Sequence, residues 1–412
     1  MALLLQASIH RFIKAVRENM LSRHFSWFRF PLCNMKIGIL TQPLHYNYGG
    51  IIQNWALQQV LLRMGHRPEM IFLTMCGQPG RKMVAMRTLS FAQNLIRKHL
   101  LNRKDKYIHS PLDPRYNPAT CYFYADSRFV KRIHKTRPLG CDADLAKLTR
   151  RRGYEAFIVG SDQVWREDYS PRILAYFLDF LPDGDGRRRI AYAASFGKER
   201  DYLSPEKMSG CRRLMSRFHA VSVREAEGVD IVRRDFGRGQ VEKVLDPTLL
   251  LSAADYEQLI SPADRRRSPY IASYILDRDD YKAAVLAQVA AAKALPVSEI
   301  DIEAHPEGMP AVSQWLANFA DARFVVTDSF HGCVFSIIFG KPFIAIGNAE
   351  RGLGRFRSLL GELGLMDRLI TTMQDFRDRR DALMSSPDYA AVNGRLALLR
   401  QSSLKFLTDA LA

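Results

Sequence analysis

From Met35 onward the chain alternates short apolar runs with stretches in which apolar residues recur at helical spacing. That is the pattern of a parallel sheet whose strands are covered by helices on both faces. Strands are expected near 36–40, 69–73, 156–159, 189–194, 219–223, 270–276, 297–301, 323–327 and 342–346. Helices are expected over 51–64, 204–217, 279–294 and 310–320. Two stretches break the rhythm. Gln78 to Pro118 is basic and proline-containing and reads as a surface excursion. Ser261-Pro262-Ala263-Asp264-Arg265-Arg266-Arg267-Ser268-Pro269 has linker composition and precedes a fresh strand. The expected division is an α/β domain over 35–262, a second over 263–385 and a helical segment over 386–412, with a cleft between the domains.

Residues 1–34 stand apart, with five basic residues (Arg11, Lys14, Arg17, Arg23, Arg29) against one acidic, Glu18. Ile9, Phe12, Ile13, Val16 and Met20 fall at helical spacing. Two readings stay open: a basic amphipathic helix for an anionic membrane surface, or a dispensable extension ahead of Met35 and the strand-like Lys36-Ile37-Gly38-Ile39-Leu40.

Composition narrows the class. The 412 residues are 47% apolar, and nothing approaches the ~18 consecutive apolar residues of a membrane span. Six cysteines are scattered without a Cys-x-x-Cys pair, which argues against a zinc ribbon or disulfide framework and for a reducing, cytoplasmic compartment. The net charge of +17 is spread out, and its local arginine runs lie in or beside polar connections. Without a nucleic-acid-binding motif, these read as solvated loops rather than a nucleic-acid surface.

Candidate chemistry sits at strand ends. Phe324 to Thr327 is an apolar run that ends in Asp328, Ser329 and His331, and a second apolar run follows with helical spacing. Ligands collect at such strand C-termini, and a helix N-terminus at Gly332 would present N–H groups to an anion. The alternative is a cap, a turn former and a buried histidine. Downstream, Gly347 to Arg355 supplies Arg351 and Arg355, suited to two-point contact with phosphate or carboxylate. Phe157-Ile158-Val159-Gly160 runs into Ser161, Asp162, Gln163 and Trp165, groups that suit a sugar or, equally, a capped turn. Asn47, Tyr48, Gly49 and Gly50 precede a helix and would let backbone N–H groups approach a ligand. Asp142-Ala143-Asp144 and Asp183-Gly184-Asp185 lie in connections and read as turns, so no metal site is expected.

Six motifs then line up in order: Asn47-Tyr48-Gly49-Gly50, Gly160-Ser161-Asp162-Gln163-Val164-Trp165, Tyr192-Ala193-Ala194-Ser195-Phe196-Gly197, Val221-Ser222-Val223-Arg224-Glu225, Leu245-Asp246-Pro247-Thr248-Leu249-Leu250 and Thr327-Asp328-Ser329-Phe330-His331-Gly332. Through them, residues 35 to 370 resemble the polysaccharide pyruvyl transferase family. The resemblance implies two Rossmann-like domains in a GT-B-like arrangement, with the active site in the cleft. It implies transfer of the enolpyruvyl unit of phosphoenolpyruvate to two hydroxyls of a sugar, giving a cyclic ketal and phosphate with no further cofactor.

On that reading His331 is the general acid/base, with Asp328 and Ser329 beside it. Arg351, Arg355 and the Gly332 amide bind the donor. Asp162, Gln163, Trp165, Asn47, Tyr48, Gly49 and Gly50 face the acceptor. The acceptor would be lipid-linked or nucleotide-linked, and a lipid-linked one would place residues 1–34 at the inner leaflet of the membrane. Two competing readings are a glycosyltransferase using a nucleotide sugar on the same fold and a glycan-binding protein without turnover.

Overall fold

The computed structural model describes residues 34–44, 47–74, 127–140, 143–170, 172–300, 310–347 and 352–412, with the short pairs β3 (Tyr116–Asn117) and β4 (Tyr122–Phe123). The expectations for residues 1–33 and for most of the Gln78 to Pro118 stretch lie outside the described residues.

The first domain holds a six-stranded sheet built from β1 (Lys36–Leu40), β2 (Arg67–Met70), β5 (Ala156–Val159), β6 (Arg188–Ala194), β7 (Ala220–Val223) and β8 (Glu242–Lys243). Its strand order is β2-β1-β5-β6-β7-β8, and every pairing is parallel. The second domain holds β9 (Ile271–Tyr274), β10 (Val297–Glu299), β11 (Phe324–Thr327), β12 (Phe343–Ile346) and β13 (Leu369–Ile370). They run parallel in the order β10-β9-β11-β12-β13. These are two Rossmann-like α/β domains. Their central strands are buried along their whole length, which explains why AFIV, FVVT and FIAI are uninterrupted apolar runs.

One apolar core runs between the domains. It joins Ile39 and Ile158 of the first sheet to Val325 and Ala345 of the second. Tyr48 crosses the gap: its ring stacks on Trp315 at 5.4 Å and its hydroxyl donates to the Pro310 carbonyl. The linker-like stretch is pinned to the second domain, where Arg265 and the Arg266 amide both engage Asp321. The helix Tyr389–Leu411 then carries the chain back to the first domain. There the Leu245 amide donates to Ser403 Oγ at 3.0 Å, and Phe406 packs on Tyr192. The chain thus crosses between the domains twice, which fixes how their facing edges meet. Among the described residues no helix is long and apolar enough to cross a membrane.

Candidate active site

The strand C-termini of the first sheet supply most of the site. Strand β5 ends at Val159 and is followed by Gly160, whose backbone has φ +117°; a side chain there would meet the Tyr192 carbonyl at 2.1 Å. The turn behind it is tied to the helix Tyr48–Arg63 through Gln53, which bonds Thr41 Oγ1 at 2.8 Å and contacts Ser161 Oγ. This turn directs Asp162 inward. One of its carboxylate oxygens accepts from Arg224 at 3.2 Å and from the Gln163 amide at 3.0 Å.

Arg224 follows β7 and is buried. Its guanidinium donates to Asp246 Oδ2 at 2.7 Å, lies 3.9 Å from Glu225 Oε2 and sits over the Phe330 ring at 4.7 Å. Three carboxylates therefore surround one cation, gathered from the ends of β5, β7 and β8. Burial alone would make the guanidinium easier to deprotonate, but Asp162 and Asp246 outweigh it and hold Arg224 charged.

His331 enters from the second domain, on the first turn of the helix Phe330–Ile338. Its Nε2 lies 3.8 Å from Asp246 Oδ2, an ion pair when the imidazole is protonated and too long for a hydrogen bond. Burial acts to raise the Asp246 pKa, yet His331 and the Arg224 charge outweigh it and hold the carboxyl well below the usual range. The imidazole is 8% exposed, and its other face packs on Gly49. Gly50 comes close to Asp162. Arg355 opens the helix Gly354–Leu363 and is half-buried. Burial lowers its pKa first and the neighbouring Arg224 charge lowers it further, with Glu225 opposing.

Several residues expected here belong to the scaffold instead. Trp165 is fully buried: it stacks on Phe177 at 5.6 Å, and its Nε1 donates to the Tyr176 carbonyl at 3.1 Å, so it faces no acceptor. Tyr48 is spent on the domain contact above. Asp328 accepts from the amides of Leu276 and Asp277 at 2.6 and 3.1 Å and pairs with Lys282, which ties β11 to the loop after β9. Ser329 is the N-cap of the histidine helix and accepts from the Gly332 amide at 3.4 Å. That amide is therefore turned to the cap rather than to a donor. Gly332 is required for another reason, since a Cβ there would lie 2.1 Å from Thr327 Oγ1. Asn47 likewise caps its helix, accepting from the Gly50 amide at 3.2 Å. Gln163 is half-buried and packs against Gly197 at the edge of the site. Arg351 lies outside the described residues.

A family model described as "Polysaccharide pyruvyl transferase" matches residues 47–350. The chain belongs to the polysaccharide pyruvyl transferase family and is a transferase enzyme. The matched span takes in Asp162, Arg224, Glu225, Asp246 and His331, that is, the whole charge set apart from Arg355.

The comparison with curated proteins found no match. Among solved structures, the chain is similar to the UDP-GlcNAc 2-epimerase of Methanocaldococcus jannaschii, at 11% identity and TM-score 0.46 over 85% of this chain and 93% of that one. It is also similar to the UDP-GlcNAc 2-epimerase of Neisseria meningitidis, at 11% identity and TM-score 0.45 over 90% and 100%. The Streptomyces sp. SF2575 glycosyltransferase SsfS6 is similar at 14% identity and TM-score 0.36 over 90% and 96%. Likeness at this level bears on neither reaction nor substrate.

Arg224, Glu225 and Asp246 were quoted in family motifs above but given no role. The sequence marks each as a charged residue just beyond a strand, but that the three meet appears only once the sheet is assembled.

Proposed function

We propose that this transferase moves the enolpyruvyl unit of phosphoenolpyruvate onto two hydroxyls of a sugar in a surface-polysaccharide precursor, giving a cyclic pyruvate ketal and phosphate. The observation that carries the proposal is the meeting of His331, from one domain, with the buried Arg224 and Asp246, from the other.

The reaction needs a proton at the methylene carbon of the enol, a route for charge to leave on phosphate, and two hydroxyl oxygens at the adjacent carbon. His331 delivers the proton, with the Asp246 carboxylate 3.8 Å from its Nε2. Arg224 and Arg355 take the carboxylate and phosphate of the donor. An anion between them would offset the burial and mutual repulsion that depress the Arg355 pKa. Arg351 is assigned to the same clamp from its place in the sequence. The first hydroxyl oxygen bonds to the enol carbon as His331 protonates its neighbour to a methyl group, and the proton that this hydroxyl gives up restores His331 to its protonated form. Phosphate then departs with its bonding pair, and the second hydroxyl oxygen closes the ketal as its proton passes to phosphate.

Residues Gly49 and Gly50 line the wall opposite, beside His331 and Asp162. The acceptor is a lipid-linked or nucleotide-linked sugar, handled in the cytoplasm or at the inner leaflet. The test is mass spectrometry of such glycans after incubation with phosphoenolpyruvate, with phosphate release followed in parallel. A pyruvyl mass gain with stoichiometric phosphate is expected. Turnover of a sugar nucleotide with phosphoenolpyruvate untouched would replace this reading with glycosyl transfer.

A further inference from the structure

Next to the arginine cluster a half-open hollow straddles the two domains, its lining including the charged Lys198, Glu199, Glu225 and Glu227 on one side and Gly352 and Arg355 on the other. Glu225 is 5% exposed, and its two carboxylate oxygens differ. Oε1 accepts from the Ser195 hydroxyl at 2.5 Å. Oε2 faces Arg224 Nε at 3.9 Å but takes no hydrogen bond from the protein, and neither does Oε2 of the half-buried Glu227. A buried carboxylate oxygen left bare costs free energy unless a ligand satisfies it. The second domain closes on this spot, since a Cβ on Gly354 would lie 2.8 Å from Glu227 Cδ.

The chemistry of the lining selects the ligand. Three carboxylates, Glu199, Glu225 and Glu227, outnumber the lining cations Lys198 and Arg355 and disfavour phosphate, while those two cations with the Arg224 guanidinium alongside disfavour a metal cation. What remains is a neutral group with protons to donate, and a sugar diol presents two. We infer that this hollow is the acceptor subsite, in which Glu225 binds and deprotonates the attacking sugar hydroxyl while Glu227 accepts from the second hydroxyl. The inference rests on the pyruvyl-transfer reading above and moves the acceptor away from Trp165 and Tyr48.

The protons balance. The first hydroxyl proton goes to Glu225 as its oxygen bonds to the enol carbon, while His331 protonates the methylene carbon. The second hydroxyl proton leaves on phosphate. Glu225 then returns its proton through solvent to His331, restoring both. Burial raises the Glu225 pKa above the ordinary carboxylate range, which strengthens it as a base for that step.

The test uses the full chain with a panel of methyl hexopyranosides as acceptor probes, read by saturation-transfer NMR, and phosphoenolpyruvate affinity read by calorimetry. Glu227→Gln is expected to weaken glycoside binding about tenfold, the loss of roughly one hydrogen bond to a charged group. Glu225→Gln is expected to cut phosphate release at least about 100-fold. Both should keep wild-type affinity for phosphoenolpyruvate. Wild-type glycoside binding and turnover in both variants would overturn the inference, as would a Glu225→Gln protein that loses phosphoenolpyruvate but keeps the glycoside. If Glu225→Gln does not fold, the glycoside affinity of Glu227→Gln decides. A wild-type protein that binds glycosides and not phosphoenolpyruvate would instead overturn the pyruvyl-transfer reading while leaving the subsite standing.

Discussion

Gly49 and His331, from different domains, are packed so closely that a Cβ on the glycine would lie 2.0 Å from the imidazole Nδ1. The glycine sits inside the first turn of the helix Tyr48–Arg63. Its backbone needs no unusual angle there, so the requirement is for space alone. The helix start thus acts as the floor on which the imidazole rests, with Asp246 on the Nε2 side.

Replacing Gly49 with Ala tests that floor. In a helix interior alanine is favoured over glycine by up to ~1 kcal/mol, so helix content should hold or rise. The methyl group must push the imidazole aside, and turnover should fall at least about 100-fold, the usual worth of a positioned acid–base group. Circular dichroism and phosphate release on the same sample would separate the two effects. Wild-type turnover in Gly49→Ala would mean that the imidazole is free to shift without consequence.

Asp246→Asn should destabilise the protein by about 3–5 kcal/mol, because a buried guanidinium loses a counter-charge. Asp246 Oδ2 meets both Arg224 and His331, while Oδ1 accepts from the Thr248 amide and hydroxyl at 3.0 and 2.7 Å. Asparagine can keep the Thr248 contacts, so the cost should trace to the charges. Urea unfolding gives the magnitude, and a loss under ~1 kcal/mol, the range of an exposed pair, would show the charge set to be solvated.

The fold was legible where strands are covered on both faces. Runs such as Ala156–Val159 and Phe343–Ile346 are apolar throughout and match observed strands. Strands β8 and β13 have two residues each, too few to show any period. The first helix starts at Tyr48, ahead of the expected 51, because the Asn47 side chain caps it.

In the site, sequence position identifies a strand end but not the direction a side chain takes. Asp328 and His331 are three residues apart, yet one turns back to amides of its own domain and the other crosses the cleft. Arg224 and Asp246 are 22 positions apart, and the need for one to neutralise the other is invisible until the sheet brings their strand ends together.

Trp165 offers a test of scaffold against site. Trp165→Phe keeps an aromatic ring against Phe177 and Phe196 but removes the donor to the buried Tyr176 carbonyl. Leaving such an acceptor bare costs about 1–3 kcal/mol, so the melting temperature should drop. KM for the acceptor should stay at the wild-type value. A raised acceptor KM with unchanged stability would return the indole to the acceptor wall.

The pH dependence of stability carries a signature of Glu225. Its folded pKa is raised above the reference 4.5, chiefly by burial, with Arg224 and Ser195 pulling the other way. A carboxyl of this kind contributes stability that is fully present below pH 4.5 and is lost as pH rises through the folded value. Asp246 behaves oppositely: its depressed folded pKa gives stability that is present above its unfolded pKa and is lost as pH falls through the folded one. Asp246 is common to wild type and Glu225→Gln, so its share cancels in their difference. Glutamine cannot ionise, and its melting temperature should therefore gain on wild type as pH rises above 4.5, levelling off beyond the folded pKa of Glu225. Thermal unfolding of both proteins across that window gives the curve. A flat or falling difference would mean that the carboxylate is well paired in the resting protein, which leaves no bare oxygen for a sugar hydroxyl to satisfy.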